Sequence, residues 1–283
     1  MVFAVAENAQ FIPDVLKAKA LIDAGAIGEV YFARANLWES TVESEFAGGF
    51  AEGWRSDVAQ AGGGNTIDGG THWVRALRVW MGEIARVVAV NERPLTTMAG
   101  ESLTHAIVKF ESGKTATFDC LVMDAPMSKA EPFFRIQGTK GEIVLDGTFE
   151  GGMRLVTAAH PEGVFVESDP TGKGQRGFLH SYAPQLADFG RAVQLGTPLA
   201  ASAEFAVGEV AAITAMYRSG ERGRWEDVWG AEAEAAGGAP AEADELIDGS
   251  IAETTAAGAG ETTTVVRHTD GTVITTSTRS PAL

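Results

Sequence analysis

The chain has 283 residues, 45% hydrophobic and 21% charged, which is the balance of a soluble globular protein and excludes a collagen, a disulfide scaffold or a wholly disordered polymer. Acidic residues outnumber basic ones by 38 to 22, for a net charge of -16, and so negative a surface repels phosphate backbones and anionic lipid, so neither nucleic acid nor a membrane is expected as a partner. Cys120 is the single cysteine, which rules out an internal disulfide and a cysteine-based metal cluster. No apolar run approaches the roughly 18 residues of a membrane span, and Met1 to Glu7 has no basic-then-apolar leader, so a cytoplasmic protein is expected.

In chain order, Val2 to Ala6 reads as a short apolar strand. Pro13 to Ala24 has helical spacing (Val15, Leu16, Ala20, Leu21) and stops at Gly25. Val30 to Leu37 alternates as a strand, residues 38–63 read as an extended loop, and Asn65 to Met81 reads as one helix ended by Gly82. From Ile84 to about Val166 the pattern is β, with strands predicted at 84–91, 103–110, 115–123, 133–137, 142–146, 154–158 and 164–167. Such short connections favour antiparallel pairing over βαβ alternation. Helices follow at Leu179–Leu195 and Ala203–Ser219. The fold class is therefore α+β, a meandering sheet bracketed by helices.

Composition changes after Trp229. Residues 230–283 lack aromatic side chains and carry nine acidic residues against Arg267 and Arg279, so this low-complexity acidic tail is expected to be mostly disordered. Within it, β-branched runs flank Asp270-Gly271, which predicts a hairpin over 264–276.

Among chemical motifs, a Walker A sequence, a His-Glu-x-x-His pair and a Gly-x-Ser-x-Gly elbow are all missing, and no metal site is expected. One Gly-x-Gly-x-x-Gly match, Gly172-Lys-Gly174-Gln-Arg-Gly177, follows Pro170 and a predicted hairpin, with no second βα unit to complete a nucleotide crevice, and reads as a loop. The segment Gly62-Gly-Gly-Asn65-Thr-Ile-Asp68-Gly-Gly-Thr-His72 carries more. On one helix, Asp68 and His72 four residues apart share a face, and a carboxylate beside an imidazole makes a general base for a hydroxyl proton. The alternative is an ordinary helix pair worth a few tenths of a kcal/mol.

The chain resembles the Gfo/Idh/MocA oxidoreductases, which act mainly on sugars, inositols and related polyols. The residues that carry the resemblance, in order, are Ala6-Glu-Asn8-Ala-Gln-Phe11-Ile-Pro13 with Ala20 to Val30, then Trp54-Arg55, Gly62-Gly-Gly64 and Asp68 through His72, then Phe134 to Glu142, then Ser181 to Phe189 and Ala203 to Ser219. The resemblance implies a large, open, mainly antiparallel sheet with helices on one face, akin to dihydrodipicolinate reductase. It implies His72 as the catalytic base with Asp68 beside it, Arg55, Trp54 and Asn65 on the substrate side, and Asn8 near the nicotinamide of NAD or NADP. His180 is read as a solvated residue at a helix start.

By the same resemblance, residues 1–28 are expected to be the remnant of a junction with a Rossmann domain, and 29–229 the substrate-binding and oligomerisation domain. The family's Gly-rich domain and Glu-Lys-Pro motif would precede Met1. A truncated reading frame, a split enzyme with a separate Rossmann subunit, and a non-catalytic relative all fit. The leading expectation is the substrate half of a sugar or polyol dehydrogenase that forms homo-oligomers through its sheet face. The alternative is a non-catalytic sheet subunit that associates with itself or a partner.

Overall fold

A computed structural model describes residues 1–40, 53–127, 133–145, 151–169 and 179–230, together with strand residues 244–245, 251–256, 261–267 and 273–279. Met1–Trp229 and Gly230–Leu283 are separate compact units.

In the first unit a 3-10 turn (Ala9–Phe11) leads into α1 (Pro13–Asp23). Proline suits this first turn, where its missing N–H has no intrahelical partner to lose. Val15 and Ala18 face inward, and Gly25 behind the helix takes a left-handed φ of 70°. Then come β1 (Val30–Ser40), α2 (Val58–Ala61), α3 (Asn65–Asp68), α4 (Gly70–Met81), β2 (Ile84–Glu92), β3 (Leu103–Phe110), β4 (Thr115–Met123), β5 (Phe134–Gly138), β6 (Gly141–Leu145), β7 (Gly152–Thr157), β8 (His160–Glu167), α5 (Leu179–Leu195), α6 (Ala203–Arg222) and β9 (Glu226–Asp227).

The strands form one nine-stranded sheet in the order β8-β7-β6-β5-β1-β4-β3-β2-β9. It is mostly antiparallel, as expected of this α+β chain, but β1 and β4 run parallel, with Phe32 opposite Thr115 and Ser40 opposite Met123. Strand β1 can run parallel to β4 because helices α2 to α4 and strands β2 and β3 separate the two in sequence, whereas strands joined directly by a hairpin are antiparallel.

Strict alternation shows which face is covered. Thr104, Ala106, Val108 and Phe110 of β3 and Ala116, Phe118 and Cys120 of β4 are buried under the helices. His105, Ile107, Thr117 and Asp119 line the opposite face, where an open groove of about 790 Å³ runs over β1 to β6. On the covered side Trp73 of α4 meets Phe133 edge-on at 5.3 Å and stacks on Phe134 at 5.8 Å, and Trp80 meets Phe134 edge-on at 4.9 Å. The two indole N–H groups donate to Asn36 O and Val15 O, both at 3.0 Å, so α4 is fixed in rotation as well as depth. Residues 9–27 supply Ile12, Val15, Ala18 and Ile27 to the same core.

Several expectations are corrected. Val2 to Ala6 forms only an isolated bridge, Ala4 to Ser202, rather than a strand. The helix read over 65–81 is two helices meeting at Gly69. Strand β9 is too short to leave a periodic signal. In the second unit, where disorder is expected, β10 (Asp244–Glu245), β11 (Ile251–Ala256), β12 (Glu261–Arg267) and β13 (Val273–Arg279) pair in sequence as an antiparallel sheet. Thr and Val in β12 and Thr, Val and Ile in β13 favour extended backbone despite the low aromatic content. The two arms of the predicted hairpin fall in β12 and β13, with Arg267 opposite Val273, and its Asp270-Gly271 turn lies outside the described residues. No helix among the described residues is long and apolar enough to cross a membrane.

Candidate active site

The glycines of 62–64 and 69–70 place the site. Gly62 closes α2 in a left-handed conformation, with φ at 82°. A Cβ on Gly63 would overlap the Tyr217 hydroxyl, and one on Gly64 the backbone of Glu101. Glu101 then caps the next helix, accepting from the N–H groups of Gly64 at 2.7 Å and Thr66 at 2.9 Å, and Tyr217 donates its hydroxyl to the same carboxylate at 2.9 Å. Burial and the Glu101 charge push the Tyr217 phenol up, so it stays a donor. Gly69 and Gly70 let the helical segment lie against the sheet, where a Cβ would stand 3.0 Å from Leu37 and from Phe118 respectively.

His72 is in the first turn of α4, with its side chain 30% exposed. Its Nδ1 lies 2.9 Å from Oε1 and 2.8 Å from Oε2 of Glu7, which is itself buried. Asp68, at the end of α3, is held by Arg55 instead, with Nε at 2.5 Å and Nη2 at 3.2 Å. Glu7 thus faces His72, and Arg55 holds Asp68. Gly69 donates to Asn65 O at 2.9 Å, whereas His72 N–H reaches back only three residues, to Gly69 O at 3.3 Å, so the two side chains do not sit on one continuous α-helix.

Arg55 comes from a 3-10 turn, Gly53–Ser56, and its guanidinium lies 4.2 Å over the ring of the exposed Trp54. Glu39, near the end of β1, completes the cluster. Its carboxyl is pushed up by burial and by the Asp68 charge, with His72 acting the other way. Trp54, Arg55 and Asp68 thus come together, with Glu39 between the influence of Asp68 and His72. Asn65 does not join them, because it is buried and donates to Cys120 Sγ at 3.2 Å. Asn8 is buried too and donates to Ser181 Oγ of α5 at 2.6 Å. His180 is exposed at the start of α5. Gly172–Gly177 lies outside the described residues. No cluster among the described residues has the make-up of a metal site.

The sequence reading missed Glu7 and Glu39. Glu7 stands in the quoted Ala6-Glu-Asn8 motif, but its partner is 65 residues away and no local spacing points to it. Glu39 is the one acidic residue of β1, but that strand also carries Arg34 and Asn36, so no local pattern singles it out.

Residues 15–144 match the family model of the GFO/IDH/MocA C-terminal domain. An uncharacterized oxidoreductase of Rhizobium meliloti is 27% identical over 227 residues, which cover 74% of this chain and 59% of that one. Among solved structures, an oxidoreductase from Thermotoga maritima is similar at 27% identity and a TM-score of 0.64, over 80% of this chain and 62% of that one. Levoglucosan dehydrogenase in complex with NADH and levoglucosan aligns at 22% identity and a TM-score of 0.69, over 81% and 67%. An Agrobacterium radiobacter oxidoreductase in complex with NAD+, L-tartaric acid and magnesium aligns at 22% and 0.65, over 80% and 64%. The open, mostly antiparallel sheet with helices over one face is thus a fold shared with these solved structures. Over residues 15–144 the chain is similar to the C-terminal domain of the GFO/IDH/MocA family. It spans less than two thirds of the length of the Rhizobium and Thermotoga relatives.

Proposed function

We propose that this chain provides the substrate side of an NAD(P)-dependent dehydrogenase of sugars or polyols, with His72 as the general base for the hydroxyl that is oxidised. The observation that carries the reading is the partly exposed His72 imidazole, backed by the buried Glu7 carboxylate and set beside Glu39 and the Arg55–Asp68 pair. Imidazole takes up protons near neutral pH, and carboxylates and a guanidinium are the groups that hold polyol hydroxyls. Arg55 and Asp68 would bind the substrate, with Trp54 stacking on a sugar face. The levoglucosan and L-tartaric acid in the similar structures are polyhydroxy compounds of this kind.

The fold family implies a nicotinamide cofactor. The described residues do not fit its phosphates: the helix starts at Gly64 and Gly69 belong to the segment packed against Glu101 and the sheet, and Gly64 N–H is already taken by Glu101. Asn8, expected near the nicotinamide, donates to Ser181. The part proposed for this chain is therefore proton transfer and hydroxyl binding. We further propose that the uncovered sheet face, with Val90 and Ile107 exposed, pairs with a second copy. The reduced, buried thiol of Cys120 suits the cytoplasm.

The test is oxidation of a panel of sugars and polyols with NAD+ or NADP+, by the chain alone and supplemented with the dinucleotide-binding domain of a relative. His72→Ala is expected to lower turnover by roughly 10²–10⁴-fold, the usual contribution of a general base. Undiminished turnover would remove His72 from the reaction.

A further inference from the structure

We infer that Glu7 is the positioning residue of His72, and that it holds the imidazole in the Nδ1–H tautomer so that Nε2 is the atom that accepts the substrate proton. The inference rests on His72 being the base and names how that base is set.

An ionised carboxylate only accepts hydrogen bonds, so a ring nitrogen facing one must carry the hydrogen. Both Glu7 oxygens lie at that distance from Nδ1, at 2.9 and 2.8 Å, which fixes the ring plane as well as the tautomer. A neutral imidazole protonated at Nδ1 presents its lone pair at Nε2. When the hydroxyl O–H bond breaks, its proton passes to Nε2, the oxygen keeps the electron pair, and the imidazolium is stabilised by the Glu7 carboxylate that faces Nδ1.

Glu7 is itself pinned. Its Oε1 also accepts the N–H of Ala9 at 2.7 Å. Three residues on, Gln10 Oε1 accepts from Arg75 Nη1 at 2.6 Å, and Arg75 is three residues beyond His72. The segment 7–10 is therefore tied to α4 twice, at matching intervals, so the carboxylate and the imidazole cannot slide past one another. Asn8 anchors the same segment to Ser181 from the other side.

The test is a ring-nitrogen NMR spectrum of the full chain with ¹⁵N-labelled histidine, with His72 assigned by its loss in His72→Gln. The neutral ring is expected to show a hydrogen-bearing Nδ1 and a bare Nε2. In Glu7→Gln and Glu7→Ala the two nitrogen signals should move toward one another as the tautomers mix. Glu7→Gln keeps an acceptor for Ala9 N–H and so guards against a folding failure in Glu7→Ala. A His72 found as the Nε2–H tautomer, or a pattern unmoved in both Glu7 variants, would overturn the inference. The spectrum needs no turnover, so loss of the dehydrogenase reading would show in the oxidation assay and leave this result separate.

Discussion

Arg55 meets Asp68 with two nitrogens, at 2.5 and 3.2 Å, across thirteen residues of chain that include the whole of α2. The side chains are 31% and 25% exposed, so solvent screens part of the attraction, yet the forked geometry is one that lysine cannot reproduce. A double-mutant cycle with Arg55→Ala and Asp68→Asn, read by urea unfolding, should give a coupling of about 1 kcal/mol. Arg55→Lys should lose most of it. If the pair serves polyol binding, the same substitutions raise KM far more than this small stability change suggests.

Glu209 of α6 is the counter-ion of two buried cations. It pairs with Arg75 Nε and, at 2.5 Å, with Arg78 Nη1, and all three side chains are almost fully buried. Burial pushes the Arg75 guanidinium down to about 10, which leaves it charged at neutral pH. Glu83 shares Arg78, with Oε1 2.6 Å from Nη2, but is itself partly exposed and cannot replace Glu209. Glu209→Ala should therefore cost roughly 3–5 kcal/mol in urea unfolding, because it strands charge in the core. Since Arg75 also ties Gln10 to α4, the variant should loosen the segment that carries Glu7.

These two relationships show what a sequence can disclose. Alternation in β3 and β4, the 3.6 period of α5 and α6 and the Pro13 start of α1 are local, and all appear where they are read. The parallel β1–β4 pair depends on a crossover, and the break at Gly69 depends on packing against Leu37 and Phe118, so periodicity reports neither. The same division holds at the site. Asp68 and His72 draw notice by spacing, whereas the partners that occupy them, Arg55 and Glu7, are brought in by tertiary structure.

The glycines separate two kinds of requirement. Gly25 has a positive φ of 70° with open space around it, so Gly25→Ala should cost only about 1 kcal/mol of backbone strain. Gly64 has no such φ, but a Cβ there would collide with the Glu101 backbone, which is not free to move because the Glu101 side chain caps α3. Gly64→Ala should cost more, on the order of 2–3 kcal/mol, as overpacking does in a fixed surround. Comparing unfolding midpoints of the two variants tests the distinction, and His72 signals should shift only in Gly64→Ala.

Cys120 offers a probe of opening. It is fully buried, beneath Gly70 and beside Asn65, and burial pushes its thiol well above the ordinary range. Both lack of access and lack of thiolate should make it inert to iodoacetamide in the folded chain. Labelling should appear only with global unfolding, at a rate that tracks urea concentration. Fast labelling in native buffer would mean that α3 and α4 lift from the sheet on their own.

Glu39 sets a dependence on pH. Its folded-state pKa lies above the ordinary carboxylate value, first from burial and then from the Asp68 charge. The folded chain thus holds this proton more tightly than the unfolded chain does. The stabilising contribution is complete in acid, below the unfolded value, and is lost as pH rises through the folded one. Glu39→Gln, which stays neutral throughout, should therefore be more stable than the native chain at about pH 7 and lose that advantage near about pH 4. Urea midpoints at the two values check the sign. An advantage that instead grew in acid would place the Glu39 carboxylate among groups that favour its charge, and would contradict the crowding of Asp68 against it.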